Sequence, residues 1–74
     1  MKKIILIEDE SSVVSFIKKG LQELGYEITV ALDGATGIKL VDDNDFDIII
    51  LDIMLPDING LEVCKEIRKQ NKTV

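Results

Sequence analysis

The sequence predicts an α/β domain in which three parallel strands alternate with three helices. Two short aliphatic runs, Ile4–Ile7 and Ile48–Leu51, read as strands buried on both faces. A third segment, Glu27–Ala31, alternates polar and apolar residues as a half-exposed edge strand does. Segments with apolar residues at helical spacing follow each of these, which gives a right-handed βαβαβα unit.

Each element has its own justification. The first strand is closed at once by Glu8, Asp9 and Glu10. From Ser11 to Leu24, Val13, Val14, Phe16, Ile17, Leu21 and Leu24 recur with the helical period, while Lys18, Lys19, Gln22 and Glu23 fall on the other side. Asp9 or Ser11 is the expected cap, and Gly25 stands where a C-terminal glycine belongs. The second helix, Asp33–Val41, is weaker because Gly34 and Gly37 lower its propensity, with Ala35, Ile38 and Val41 on one side. The strand at Asp47–Leu51 leads into a Pro56–Gly60 turn. The third helix, Leu61–Lys69, is expected to turn Leu61, Cys64 and Ile67 inward.

Composition narrows the function classes. At 74 residues the chain makes one small domain, 1–74, whose folding buries only about 60% of its unfolded surface. A single cysteine, Cys64, excludes an internal disulfide, and the absence of histidine speaks against zinc. The net charge of −5 argues against nucleic-acid or anionic-membrane binding by this chain. The apolar N-terminal run is too short for a signal peptide or a membrane span, so a cytoplasmic location is expected. The acids Asp42, Asp43, Asp45 and Asp47 lack the spacing of a calcium loop, and no glycine pattern marks a nucleotide site.

The half-polar second strand belongs at an edge and the first strand inside, which gives the order 2-1-3, the start of a flavodoxin-like sheet. Glu8 and Asp9 then meet Asp52 at the carboxyl ends of adjacent strands, in the crevice where doubly wound folds bind ligands. On spacing alone, Glu8, Asp9 and Glu10 also serve simply to end a strand and cap a helix. Clustered carboxylates repel, and a hard divalent cation such as Mg²⁺ relieves that repulsion. Asp52, set after four aliphatic residues, is the candidate nucleophile towards phosphorus.

Three segments carry a resemblance: Ile5-Leu6-Ile7-Glu8-Asp9-Glu10, Ala31-Leu32-Asp33-Gly34, and the long run from Asp47 through Asp52, Pro56 and Gly60 to Val63. Together they resemble the N-terminal part of a bacterial two-component response-regulator receiver domain, of the subclass fused to winged-helix transcriptional regulators. The resemblance implies that Asp52 is the phosphoacceptor for a sensor histidine kinase. It implies Mg²⁺ held by Glu8, Asp9, Asp52 and the backbone carbonyl of Met54. It implies a phosphoacceptor rather than an enzyme, with no catalytic residue beyond Asp52. A haloacid-dehalogenase-type phosphatase would want an acid where Met54 stands.

The family pattern continues through two further strand–helix units, including a hydroxyl residue and a lysine that this chain does not carry. Thr73-Val74 reads as the first step of a fourth strand. The 74-residue chain is therefore expected to behave as a receiver half with impaired phosphorylation. Its apolar edge Ile48, Ile49, Ile50 and Leu51 would be covered by a homodimer, through that strand or the bare sheet faces. The rival expectation is a structural dimerisation module without phosphotransfer.

Overall fold

The computed structural model describes residues 2–69. The elements are β1 (Lys3–Ile7), α1 (Ser11–Glu23), β2 (Glu27–Ala31), α2 (Gly34–Asp43), β3 (Ile48–Leu51) and α3 (Gly60–Lys69). The strands form one parallel sheet in the order β2-β1-β3, as the polarity of β2 predicts. Ile4 stands opposite Ile28 and Ile48, and Ile7 opposite Ala31 and Leu51. Lys3 and Asp47 close the start of the β1–β3 pair, with the Asp47 amide donating to the Lys3 carbonyl at 2.8 Å and the Lys3 amide donating to the Asp47 carboxylate at 2.8 Å.

The pleat divides the aliphatic runs between two layers. Ile5 and Ile7 turn to one face and join Ala31, Val41, Val63 and Ile67 in the main core, with Ile49 and Leu51 packed against it. Helices α2 and α3 lie against each other on this face. Ile4 and Leu6 turn to the other face, which α1 covers alone among the described helices. At Gly37 an added Cβ would lie 2.5 Å from Ile7 Cδ1, so the glycine that weakens α2 as a helix lets it approach β1 closely.

Three local expectations need correction. Neither Asp9 nor Ser11 caps α1: Glu10 holds the cap position without a side-chain cap bond, because Ser11 is already inside the helix and the Asp9 carboxylate joins the cluster described below. The apolar residues of α1 are not a buried stripe. None is fully buried, and Phe16 (82%) and Leu24 (74%) are largely exposed, because only one flank of the helix meets the sheet. In α3 the inward residues are Gly60, Val63 and Ile67, while Leu61 and Cys64 are exposed. Ile67 is inward as expected, but Gly60 and Val63 take the places expected of Leu61 and Cys64, since the close approach of Gly60 to the chain at Asp52 and Ile53 sets the start of the helix. Gly25 does close α1, at φ +91°, with the Gly25 and Tyr26 amides donating to the Gln22 and Leu21 carbonyls. The fourth-strand expectation at Thr73-Val74 lies outside the described residues.

Candidate functional site

The register that pairs Ile7 with Leu51 delivers the next residue of each strand to the same place. The Asp52 amide donates to the Ile7 carbonyl at 3.0 Å, and the Glu8 amide to the Ala31 carbonyl at 3.0 Å, so both chains are still held by the sheet where the acids begin. Glu8, Asp9 and Asp52 each offer a carboxylate oxygen within 4.8 Å of the others. Glu8 is buried, with 9% of its surface exposed, Asp52 is half-buried and Asp9 is exposed. Leu6, Ile17, Ile50 and Leu51 wall a shallow hollow beside Glu8 and Asp52.

Glu8 and Asp52 interact through their side chains within the cluster, and this pairing shifts their acidities in opposite directions. The bond to Asp52, then burial, then the Asp52 charge, push the Glu8 carboxyl above its ordinary value. Asp52 is held below its ordinary value, first by the bond from Glu8 and then by the Met54 amide, which donates to Asp52 Oδ1 at 3.2 Å. Of the pair, Glu8 is therefore the weaker acid and Asp52 the stronger. The Asp9 amide donates to Glu8 Oε2 at 3.1 Å, which orients that carboxyl group. Three hard oxygen donors so close together suit Mg²⁺, whose charge would offset the repulsion between them.

The loop from Asp52 to Gly60 is closed on itself. Met54 and Asn59 form an isolated antiparallel bridge, and the Gly60 amide donates to the Ile53 carbonyl at 2.8 Å. Asn59 Oδ1 accepts from the Leu61 amide at 2.7 Å, starting α3. The Met54 side chain is 82% exposed and takes no part in the cluster. The edge residues Ile48–Leu51 have β1 on one side and no strand on the other among the described residues, and Ile48 is 39% exposed. Cys64 borders a second hollow with Ile49, Leu51, Ile67 and Arg68, on the face away from the acids.

Sequence reasoning missed Asp57. Its carboxylate leaves the turn and accepts from the Gly34 amide (Oδ1, 2.8 Å) and the Ala35 amide (Oδ2, 2.9 Å) at the N-terminus of α2. These two bonds hold Asp57 below the ordinary carboxylate range. An acid after proline in a turn is too common a signal to have revealed a partner more than twenty residues away.

The fold and the acidic cluster define a class: parallel α/β domains with a carboxylate pocket at the carboxyl ends of their inner strands. Residues 4–74 match the response regulator receiver domain, and the chain belongs to that family. Over 73 residues it is 44% identical to the response regulator ArlR of Staphylococcus saprophyticus, covering 99% of this chain and 33% of that protein. It is 41% identical over 69 residues to the alkaline phosphatase synthesis transcriptional regulatory protein PhoP of Bacillus subtilis, covering 93% and 29%. Among solved structures, the response regulator TrrA of Thermotoga maritima in complex with Mg²⁺–BeF superposes with a TM-score of 0.91 at 44% identity, covering 95% of this chain and 61% of that one. TrrA in complex with the histidine kinase ThkA gives 0.88 at 45% identity, covering 93% and 60%. The chain thus spans about a third of the length of these curated relatives. No described helix is long and apolar enough to cross a membrane.

Proposed function

We propose that this chain is the phosphoacceptor receiver of a two-component response regulator and takes a phosphoryl group from a sensor histidine kinase onto Asp52. The observation that carries the reading is the convergence of Glu8, Asp9 and Asp52 within 4.8 Å at the ends of β1 and β3. Glu8, Asp9, Asp52 and the Met54 carbonyl would hold Mg²⁺, which neutralises charge developing on the phosphoryl oxygens. Asp52, whose carboxyl is held below its ordinary value, supplies the attacking oxygen as a carboxylate. Its bond to phosphorus forms as the P–N bond to the kinase histidine breaks, and the histidine nitrogen leaves with the electron pair. The acyl phosphate carries roughly −1.5 to −2 charges where the Asp52 carboxylate carried a single one, at a site already acidic, so the cation would stabilise the product as well as the reaction.

The role is that of a signalling acceptor rather than of a turnover enzyme, in the cytoplasm where a kinase's phosphohistidine is met. TrrA, at 45% identity, is known bound to a histidine kinase and supports a partner of that class. Labelling of the chain by acetyl phosphate with Mg²⁺, read as one added phosphoryl group by intact mass, tests the assignment. Asp52→Asn is expected to remain unlabelled, and equal labelling of that variant would refute it.

A second reading concerns the isolated 74 residues. The free side of β3 and the exposed apolar residues Ile48, Phe16 and Leu24 favour self-association, the rival being a purely structural dimer. Light scattering on the eluting chain is expected to give a dimer, and a folded monomer at micromolar concentration overturns this.

A further inference from the structure

We infer that Asp57 is a positioning residue that ties the loop bearing the proposed metal and phosphoryl site to the N-terminus of α2; this rests on the function proposed above. The first turn of a helix leaves amide donors unsatisfied. Here two carboxylates from different parts of the chain divide them. Asp33 accepts from the Thr36 amide at 2.7 Å, as an ordinary N-cap does. Asp57 takes the Gly34 and Ala35 amides at 2.8 and 2.9 Å, one on each oxygen. A bidentate carboxylate on two adjacent helix amides fixes orientation as well as position, and the helix dipole favours its charge.

What the clip holds is the site. Asp57 lies three residues beyond Met54, inside the segment closed by the Met54–Asn59 bridge and the Gly60–Ile53 hydrogen bond. The Met54 peptide touches Asp52 directly through its amide. Ile53, Met54 and Asp57 are exposed, and the packing of this loop on the core falls to Leu55 and Ile58 on either side of Pro56 and Asp57. Helix α2 is anchored by Val41, which is fully buried, and by the close approach of Gly37 to β1. The clip therefore connects the least packed part of the site to a fixed body. Without it, the Met54 peptide, whose amide touches Asp52, loses one of its supports.

The experiment compares Mg²⁺ affinity by calorimetry across variants of the full chain. Removing a group that orients a metal ligand weakens binding by 10- to 100-fold in well-studied sites, and Asp57→Ala is expected to cost about tenfold, the lower end, because its action passes through the loop. Asp57→Asn keeps an acceptor oxygen and is expected to recover part of the loss. Asp33→Ala removes the other cap of the same helix and is expected to leave Mg²⁺ affinity unchanged. Wild-type affinity in Asp57→Ala, or an equal loss in Asp33→Ala, overturns the inference. Asp52→Asn separates the two readings: if it binds Mg²⁺ like the wild type, the metal site itself is misassigned. If it loses binding while Asp57→Ala does not, only the positioning role fails. Should Asp57→Ala not fold, the unmodified chain still decides. Titration with Mg²⁺ is expected to move the Gly34 and Ala35 amide resonances with those of Met54, and stationary Gly34 and Ala35 signals overturn the inference.

Discussion

Gly60→Ala is expected to destabilise the chain and to disturb the acidic site together. A Cβ at Gly60 would lie 2.5 Å from the Asp52 carbonyl oxygen, 2.6 Å from Ile53 Cα and 3.1 Å from the Asp52 carbonyl carbon. All three neighbours are backbone, so no rotamer change relieves the contact. Forcing an extra methyl into a packed position costs about 1–3 kcal/mol. The better helix propensity of alanine offsets at most about 1 kcal/mol. With the full offset a net loss of up to about 2 kcal/mol remains, which for a domain of this size lowers Tm by up to about 16 °C. Gly20→Ala is the matched control. It lies inside α1 with nothing within 4 Å of its Cβ, so alanine there should stabilise by about 0.5–1 kcal/mol. Thermal unfolding followed by far-UV circular dichroism reads both. Because the obstacle at Gly60 is the main chain of Asp52, phosphorylation by acetyl phosphate should also fall in Gly60→Ala and not in Gly20→Ala. A Gly60→Ala chain that melts at or above the wild-type temperature would refute the reasoning, since the close approach would then be slack.

Other expectations follow from burial and charge. Ile5→Ala, at a fully buried position of β1, should cost about 2–5 kcal/mol in urea unfolding, whereas Ile48→Ala on the open edge should cost clearly less; equal costs would show that the edge is covered in solution. Asp57 is held below its ordinary value of about 3.9, so its bonds to α2 contribute stability above that pH that is lost as pH falls through its lowered value. Asp57→Asn should accordingly show a shallower loss of stability on acidification, and an unchanged acid limb would contradict this. Glu8 is shifted the other way: its stabilising contribution to the metal-free chain is present at low pH and is lost as pH rises through its raised value. Mg²⁺ binds the ionised carboxylates, so affinity should rise with pH through the raised value of Glu8 and then level off. Calorimetry in buffers of different ionisation enthalpy measures any proton released on binding, and a pH-independent affinity would argue against a raised Glu8.

Much of the architecture was legible because it depends on short-range patterns. Unbroken aliphatic runs at Ile4–Ile7 and Ile48–Leu51, alternation at Glu27–Ala31 and an acid directly after each inner strand determined the strand types, the sheet order and the meeting of Glu8, Asp9 and Asp52. Periodicity alone did not supply helix phase or coverage. Leu61 and Cys64 fit an inward stripe as well as Val63 does, and only the approach of Gly60 to Asp52 and Ile53 decided that Val63 and Ile67 face the core. Phe16 has the spacing of a buried residue in α1, yet which flank of a lone helix meets the sheet depends on its neighbours. The opposite shifts of Glu8 and Asp52 depend on oxygen positions within the cluster, and the grip of Asp57 on α2 joins residues 23 and 22 positions apart. Residue type and local period, then, determined by themselves what each segment forms and where its acids emerge. Which groups touch, and so which carboxyl group is made the weaker acid and which loop is held to α2, depends on through-space distances that only the packed layers set.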